Sequence, residues 1–311
     1  MCHSETLQHR IHDARRRFER AGIAPREAAI DADVLARHAL GGWERGRLLA
    51  ELRAPCPPGF EEAFEALVGR RERREPTAGI IGHREFWELD IEVAPGVLIP
   101  RPETETLVEQ ALARVLNPSR PGGRRGGGAG KTPPAVAIAD VCTGSGCVAI
   151  ALARWLPAAM ITAIDVSERA LAVAERNAVR HDVADRVILV KRDLLDGVEG
   201  PFDMIVSNPP YVPSRDLESL QPEIRDHEPA AALDGGPDGL AVIRRLVPQA
   251  ARRLPAGGWL LFEFGFGQAD AVRAIVAAEA GFDAADLWAD LAGIPRVAAA
   301  QRRRGADDAA A

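Results

Sequence analysis

Asn208, Pro209, Pro210 and Tyr211 follow one another at the end of an apolar run, Met204-Ile205-Val206-Ser207. The asparagine offers a side-chain amide, the prolines leave backbone carbonyls without competing N–H groups, and the tyrosine adds a flat ring. Together they suit a planar nitrogen group such as an amide or an exocyclic amine. Proline cannot donate to a strand ladder and pushes its predecessor out of the helical region, so Asn208 is expected extended at a strand's carboxyl end. Open parallel sheets bind ligands at that edge. The alternative for the same residues is a proline-terminated strand with a packing tyrosine.

A second group lies upstream. Residues 136–142 read as a buried strand, Thr143-Gly144-Ser145-Gly146 as a turn, and 147–156 as an apolar helix. Glycines let the backbone turn tightly and approach a ligand, while the new helix presents free N–H groups and a positive dipole end. The next strand, 160–164, runs into Asp165, nineteen residues after Gly146 and near the spacing at which a carboxylate meets ribose hydroxyls. Gly144-x-Gly146-x-x-Ala149 is thus a nucleoside-binding fingerprint that fits a dinucleotide or S-adenosylmethionine equally well. Asp193, leaving a third strand at 187–190, can take an adenine amino group or serve as a turn aspartate. Arg101 stands between Pro100 and Pro102, and Thr104 is a reasonable cap for the helix that follows. A rigid interdomain turn and a functional role explain that segment equally.

Other candidates give way to plainer readings. His9 and His12 are one helical turn apart with no acidic or cysteine partner at metal spacing, so no metal site is expected. Gly126-Gly127-Gly128-Ala129-Gly130-Lys131-Thr132 imitates a phosphate-binding loop, but the position that needs glycine is Arg125 and Pro133-Pro134 bars the helix. His227 has nothing nearby in sequence to orient it as a base. The run Arg70-Arg71-Glu72-Arg73-Arg74, mixed in sign, reads as a solvated helix end, with docking of a partner as the minority alternative.

These groups need a frame. Residues 1–78 read as a small helical bundle, with Leu7, Ile11, Ala14 and Phe18 inward on the first helix. Pro25 opens a second with Ile30, Val34 and Leu35 inward; Leu48, Leu49 and Leu52, then Phe60, Phe64, Leu67 and Val68, supply further apolar stripes. Residues 79–106 form a hairpin and connection, since polarity alternates from Phe86 onward. Residues 107–311 alternate strands and helices, interrupted by the low-complexity loop 117–134. The stretch 212–238 is long enough to be a functional lid, and 302–311 should fray.

Bulk properties narrow the class. The chain has 311 residues, 47% of them hydrophobic, and a formal net charge of −6. That balance lacks the basic footprint of a protein that holds nucleic acid by its phosphates, although a local basic groove is compatible with it. Cys2, Cys56, Cys142 and Cys147 make no CxxC pair and no disulfide framework, which points to a reducing cytoplasm. No apolar run is long enough to span a bilayer, and the first residues carry no apolar signal segment.

Three motifs in order, LIPRPETETLVE at 98–109, DVCTGSGCVAIALA at 140–153 and SNPPYV at 207–212, make the chain resemble the class I S-adenosylmethionine-dependent methyltransferases. Within them it resembles the release factor N5-glutamine methyltransferases, the PrmC/HemK family. The likeness covers all but the loop at 117–134 and the last ten residues. It implies an α/β, Rossmann-like class I methyltransferase fold, with a seven-stranded doubly wound sheet after an N-terminal helical substrate-recognition domain. It implies S-adenosyl-L-methionine over Cys142, Thr143, Gly144, Ser145 and Gly146, with Asp165 on the ribose, Asp193 and Leu194 around adenine, and Asn208 close by. The implied reaction methylates the GGQ-motif glutamine of peptide chain release factors at N5 and leaves S-adenosyl-L-homocysteine. Asn208, Pro209, Pro210 and Tyr211 would be catalytic, with Arg101, Pro102 and Thr104 completing the substrate pocket. Cys142 stands where such enzymes more often carry glycine, a form also seen in the sister enzymes that modify a ribosomal protein. Glu263-Phe264-Gly265 replaces the usual Glu-Ile-Gly. A DNA or RNA adenine N6-methyltransferase shares Asn-Pro-Pro-Tyr but should show a basic face. A nicotinamide-dependent dehydrogenase would leave that tetrapeptide without a task, and a catalytically silent binding module is at odds with sites that are intact in sequence.

Overall fold

The structure is a computed structural model that describes residues 6–116 and 135–304. The glycine-rich loop at 117–134, with its phosphate-loop imitation, and residues 305–311 lie outside the described residues. The chain divides into two compact units, one comprising Met1–His83 and Gln221–His227 and the other Arg84–Leu220 and Glu228–Ala311. Among the described residues no helix is long and apolar enough to cross a membrane.

The first unit is built from α1 (Leu7–Arg20), α2 (Pro25–Ala39), α3 (Arg45–Glu51), α4 (Phe60–Glu72) and α5 (Thr77–Ile81). Thr6 caps α1 by accepting from His9 N, and Pro25 begins α2 where a missing N–H costs nothing. The core is formed by Leu7, Phe18, Leu35, Leu48, Phe60, Phe64 and Val68, with Phe60 and Phe64 stacked at 5.0 Å. Two sequence expectations need correction. Ile30 faces solvent because α2 buries Ala28, Ala32, Leu35 and Ala36 instead, a stripe made largely of alanine, and Leu49 faces solvent because the short α3 buries only Leu48. Nor is the arginine run a solvated end. Arg71 is 1% exposed and bonds Asp31 Oδ2 at 2.7 Å, Glu223 Oε1 at 2.8 Å and Glu27 Oε1 at 3.0 Å. Arg74 grips both oxygens of Glu223, at 2.6 and 2.7 Å. Burial pushes the Glu223 carboxyl up, but its bonds to Arg74 and Arg71 outweigh that and bring it down to about 2.

A hairpin follows, β1 (His83–Phe86) and β2 (Leu89–Glu92), and all of it but His83 belongs to the second unit. Its turn residues, Trp87 and Glu88, both have positive φ, 51° and 63°. Trp87 N donates to Glu105 Oε1 at 2.9 Å, which helps hold a turn that lacks the usual glycine or asparagine. Then follow α6 (Glu105–Leu116), β3 (Ala137–Val141), α7 (Cys147–Trp155), β4 (Met160–Asp165), α8 (Glu168–Arg180), β5 (Val187–Lys191) and β6 (Met204–Ser207). The short α9 (Pro222–Arg225) belongs to the first unit; α10 (Ala241–Ala251), β7 (Trp259–Glu263), α11 (Ala269–Ala278), β8 (Asp286–Ala289) and β9 (Pro295–Gln301) complete the chain.

Seven strands form one sheet in the order β5-β4-β3-β6-β7-β9-β8, parallel except where β9 runs against both of its neighbours. Successive strand residues face opposite layers. Ile138, Ile161, Ala163, Met204, Val206 and Leu261 pack with α6 and α7 on one side, whereas Ala139, Val141, Ile164, Ile205, Leu260 and Phe262 pack with α10 and α11 on the other. The chain winds outward from β3 to β5 and then returns to lay β6 on the opposite side of β3. That reversal opens a crevice at the carboxyl ends of β3 and β6.

Candidate active site

Register decides which residues meet at that crevice. Val141 of β3 is level with Ser207 of β6, and Ser207 is level with Phe262 of β7. The next residues, Cys142, Asn208 and Glu263, therefore leave three adjacent strands side by side. Ser207 Oγ donates to Val141 O at 2.7 Å and ties the first two strand ends together.

The turn after β3 is braced from beneath. Asp140 is buried, and its Oδ2 accepts from Thr143 Oγ1 at 2.6 Å and from Ala149 N at 3.1 Å. Burial pushes its carboxyl up to about 7 despite those two bonds. Thr143 and Ser145 are themselves buried, so their side chains support the turn. Gly146 has φ +81°, and a Cβ there would lie 3.0 Å from Ala174 Cβ and 3.1 Å from Ile150 Cδ1. Only glycine lets the turn settle against α7 and α8. Above Gly144, by contrast, no atom would come within 4 Å of an added Cβ.

A cavity of about 230 Å³ opens there. Its wall includes Cys142, Gly144, Asp165, Asp193, Leu194, Asn208 and Pro210, seven of the residues singled out from sequence. Thr143, Ser145, Gly146, Arg101, Pro102, Thr104, Pro209 and Tyr211 lie off that wall. Asp165 accepts from Gly144 N and Ser167 N, each at 2.9 Å and each on a different oxygen, so both oxygens keep a lone pair for a further donor. Burial raises its pKa, although the hydrogen bonds from Ser167 N and Gly144 N pull the other way. Asp193 pairs with Arg245 at 2.7 Å, both half-exposed. Gly96, Val97 and Leu98 close one side, and Pro229, Ala231, Ala232 and Asp234 another. The stretch expected as a lid thus places its second half against the cavity.

Beside the cavity, a buried carboxylate organises the Asn-Pro-Pro-Tyr segment. Glu263 is 1% exposed; its Oε2 accepts from Thr104 Oγ1 at 2.7 Å and its Oε1 from the Tyr211 hydroxyl at 2.8 Å. Asn208 Nδ2 in turn donates to Thr104 Oγ1 at 3.0 Å. Thr104 is not the helix cap expected from sequence: it ends a 3-10 turn, Pro102–Thr104, and spends its hydroxyl on Glu263. Gln268 Nε2 holds the Tyr211 carbonyl at 2.9 Å while its Oε1 accepts from Gly265 N. Gly239, at φ +76°, passes so close that an added Cβ would lie 2.3 Å from the Tyr211 carbonyl oxygen. Arg101 reaches both oxygens of Glu228 at 2.6 Å, a carboxylate whose side chain is only 2% exposed.

The chain that builds this site has relatives among known proteins. Residues 131–223 match the Methyltransferase small domain family, and residues 10–82 match the PrmC N-terminal domain. A release factor glutamine methyltransferase of Geobacter sulfurreducens is 44% identical over 79% of this chain and 80% of its own length. One of Bradyrhizobium diazoefficiens is 41% identical over 89% of each chain, and one of Moorella thermoacetica 38% identical over 96% of this chain and 99% of its own. The chain belongs to the release factor glutamine methyltransferase family. Among solved structures, the hMettl16 catalytic domain in complex with a MAT2A 3′UTR hairpin superposes with a TM-score of 0.55 at 14% identity, over 77% of this chain and 83% of that one. That likeness concerns the fold, the class I methyltransferase fold expected from sequence.

For this methyltransferase, sequence reasoning located the cavity's glycine turn and the asparagine but missed the machinery behind them. In the sequence Glu263 stands out only as part of a motif, and Asp140 and Gln268 only as members of a strand and a helix. A signal for the first was available: an ionisable residue closing the apolar run Trp259-Leu260-Leu261-Phe262 is out of place in a buried strand unless partnered.

Proposed function

We propose that this protein transfers a methyl group from S-adenosyl-L-methionine to the side-chain N5 of a glutamine, that of the GGQ motif in peptide chain release factors. The observation that carries the reading is the Asn208 side chain, fixed with its Nδ2 on Thr104 and its Oδ1 left to accept. Family membership supplies the substrate class.

The cavity's donor set fits the cofactor. Asp165 has a spare lone pair on each oxygen for paired ribose hydroxyls, Gly144 leaves open space above the turn, and Leu194 and Val242 offer an apolar rest for a purine. When bound, S-adenosylmethionine supplies an electrophilic methyl carried on a sulfonium.

The protein's own task is to make a poor nucleophile competent. An amide nitrogen has its lone pair delocalised into the carbonyl. Asn208 Oδ1 and the Pro209 carbonyl accept the two N–H bonds of the glutamine amide, hold the nitrogen still, and stabilise positive charge as it develops there. One of those hydrogens leaves as a proton once the nitrogen has gained its methyl, so no residue needs to act beforehand as a base. Tyr211, braced by Glu263 and Gln268, offers its ring as a flat neighbour for the amide plane.

Methyl-labelled S-adenosylmethionine is to be incubated with a release factor, with its GGQ glutamine variant, and with duplex DNA. Only the native release factor should be labelled, and Asn208→Ala should lower turnover about a hundredfold, as loss of one oriented electrostatic partner does elsewhere. Label on the glutamine variant or on DNA, or near-normal turnover in Asn208→Ala, would overturn the proposal.

A further inference from the structure

We infer that Thr104 and Glu263 are positioning residues that dictate which end of the Asn208 side-chain amide faces the substrate. The inference rests on the reading of Asn208 as the acceptor of the substrate amide and goes beyond it. The oxygen and nitrogen of an asparagine amide occupy nearly the same space, so shape alone does not decide between a side chain that offers an acceptor and one that offers a donor. For a substrate NH₂ group only the first is useful. The second would set N–H against N–H.

The hydrogen-bond inventory settles the direction. Burial raises the Glu263 carboxyl, while the hydroxyls of Thr104 and Tyr211 and the charge of Arg296 pull it down; in its ionised form it accepts and cannot donate. Glu263 is buried at the end of β7 between two hydroxyls, Thr104 Oγ1 at 2.7 Å and the Tyr211 hydroxyl at 2.8 Å. Each hydroxyl owns one hydrogen, and each spends it on the carboxylate. Thr104 Oγ1 therefore has only lone pairs left for Asn208, 3.0 Å away, and the group that meets it must be the Nδ2 amide. Oδ1 is turned outward by elimination. To invert Asn208, Thr104 would have to rotate its hydrogen away from Glu263 and leave a buried carboxylate short of a donor, which is costly. The polarity of the site is thus set three hydrogen bonds away from the reacting nitrogen by Glu263, which lies off the cavity wall.

The framework keeps this relay stiff. Thr104 closes the 3-10 turn that begins at Pro102, whose ring fixes the local backbone, and it is itself 1% exposed. Register places Glu263 next to Asn208 on the neighbouring strand. Because the same carboxylate also holds Tyr211, one charge fixes both the acceptor and the ring.

The test uses the full-length enzyme with a release factor as acceptor. Thr104→Val keeps shape and removes the hydroxyl, Thr104→Ser keeps the hydroxyl, and Glu263→Gln removes the charge that enforces direction. Thr104→Val should lower kcat about tenfold or more, since misorientation of a positioned group is penalised that strongly. Its KM for S-adenosylmethionine should stay within twofold, and Thr104→Ser should recover most of the loss. In an Asn208→Ala background, Thr104→Val should do nothing further, because its effect passes through the asparagine. Three results would overturn the inference: an unchanged kcat in Thr104→Val, equal losses in the Val and Ser variants, or multiplicative losses in the double variant. Glu263→Gln should follow Thr104→Val in direction; if it stays folded by circular dichroism and keeps full turnover, the carboxylate has no such role. Should Asn208→Ala itself retain turnover, the proposed function fails as well. If it loses turnover while Thr104→Val does not, only the positioning role falls.

Discussion

Gly239 gives the sharpest test of how tightly the tyrosine end of the Asn-Pro-Pro-Tyr segment is held. Placing alanine there has two separable costs. The residue has φ +76°, a left-handed conformation that costs an L-residue about 1–2 kcal/mol. The new methyl would also lie 2.3 Å from the Tyr211 carbonyl oxygen and 2.5 Å from Gln268 Nε2, whereas ordinary contact begins at 3.4 Å. Relief demands a shift of roughly 1 Å in a backbone that Gln268 also grips, and a misplacement of that size costs on the order of a hundredfold in rate. Gly267 is the matched control: it has φ +79°, yet an added Cβ meets nothing within 4 Å. Both variants should lose about the same 1–2 kcal/mol of conformational cost in urea unfolding, with Gly239→Ala losing somewhat more. Only Gly239→Ala should lose turnover, about a hundredfold, in a methyl-transfer assay at saturating cofactor. A Gly239→Ala enzyme within threefold of wild type, or a Gly267→Ala enzyme equally impaired, would show that the close approach does not hold Tyr211 for catalysis.

Two further expectations concern buried charge. Arg71→Met strands Asp31 and takes one of two arginines from Glu223, so chemical unfolding should report a loss of about 3–5 kcal/mol, with partial recovery when Asp31→Asn is added; a loss below about 1 kcal/mol would refute it. Asp140, raised by burial to about 7, keeps its proton in the folded chain between the unfolded value near 4 and that point, while the unfolded chain sheds it. Its contribution to stability therefore declines as pH rises through that window. Asp140→Asn cannot ionise, so its melting temperature should gain on the wild type from pH 5 to pH 8; a constant difference would contradict the shift.

What could be read from sequence was whatever lies within a few consecutive residues. The glycine turn at 143–146 and the Pro-Pro break after Asn208 announce themselves because backbone sterics act locally. The strands around them followed from apolar runs, and their parallel sheet from alternation with helices. Partnerships across long separations stayed hidden. Thr104 and Glu263 are 159 positions apart, and Arg71 and Glu223 are 152. A run of arginines looks solvated until a distant glutamate is found beside it. Ile30 misled for another reason: periodicity favours the largest apolar side chain, yet α2 turns its alanines inward. The Trp87-Glu88 turn carries no glycine to signal its left-handed backbone.

The membership of Gln221–His227 in the helical unit has a consequence for biosynthesis. A ribosome finishes the five helices of that bundle well before it reaches Glu223, so Arg71 and Arg74 must wait, lacking their shared carboxylate, while well over a hundred further residues are made. The bundle emerges ahead of the sheet and is completed only once β6 has been made. A fragment ending at His83 would keep α1 to α5 and the pairing of Arg71 with Asp31 and Glu27, yet lack α9 and the carboxylate that Arg71 and Arg74 share.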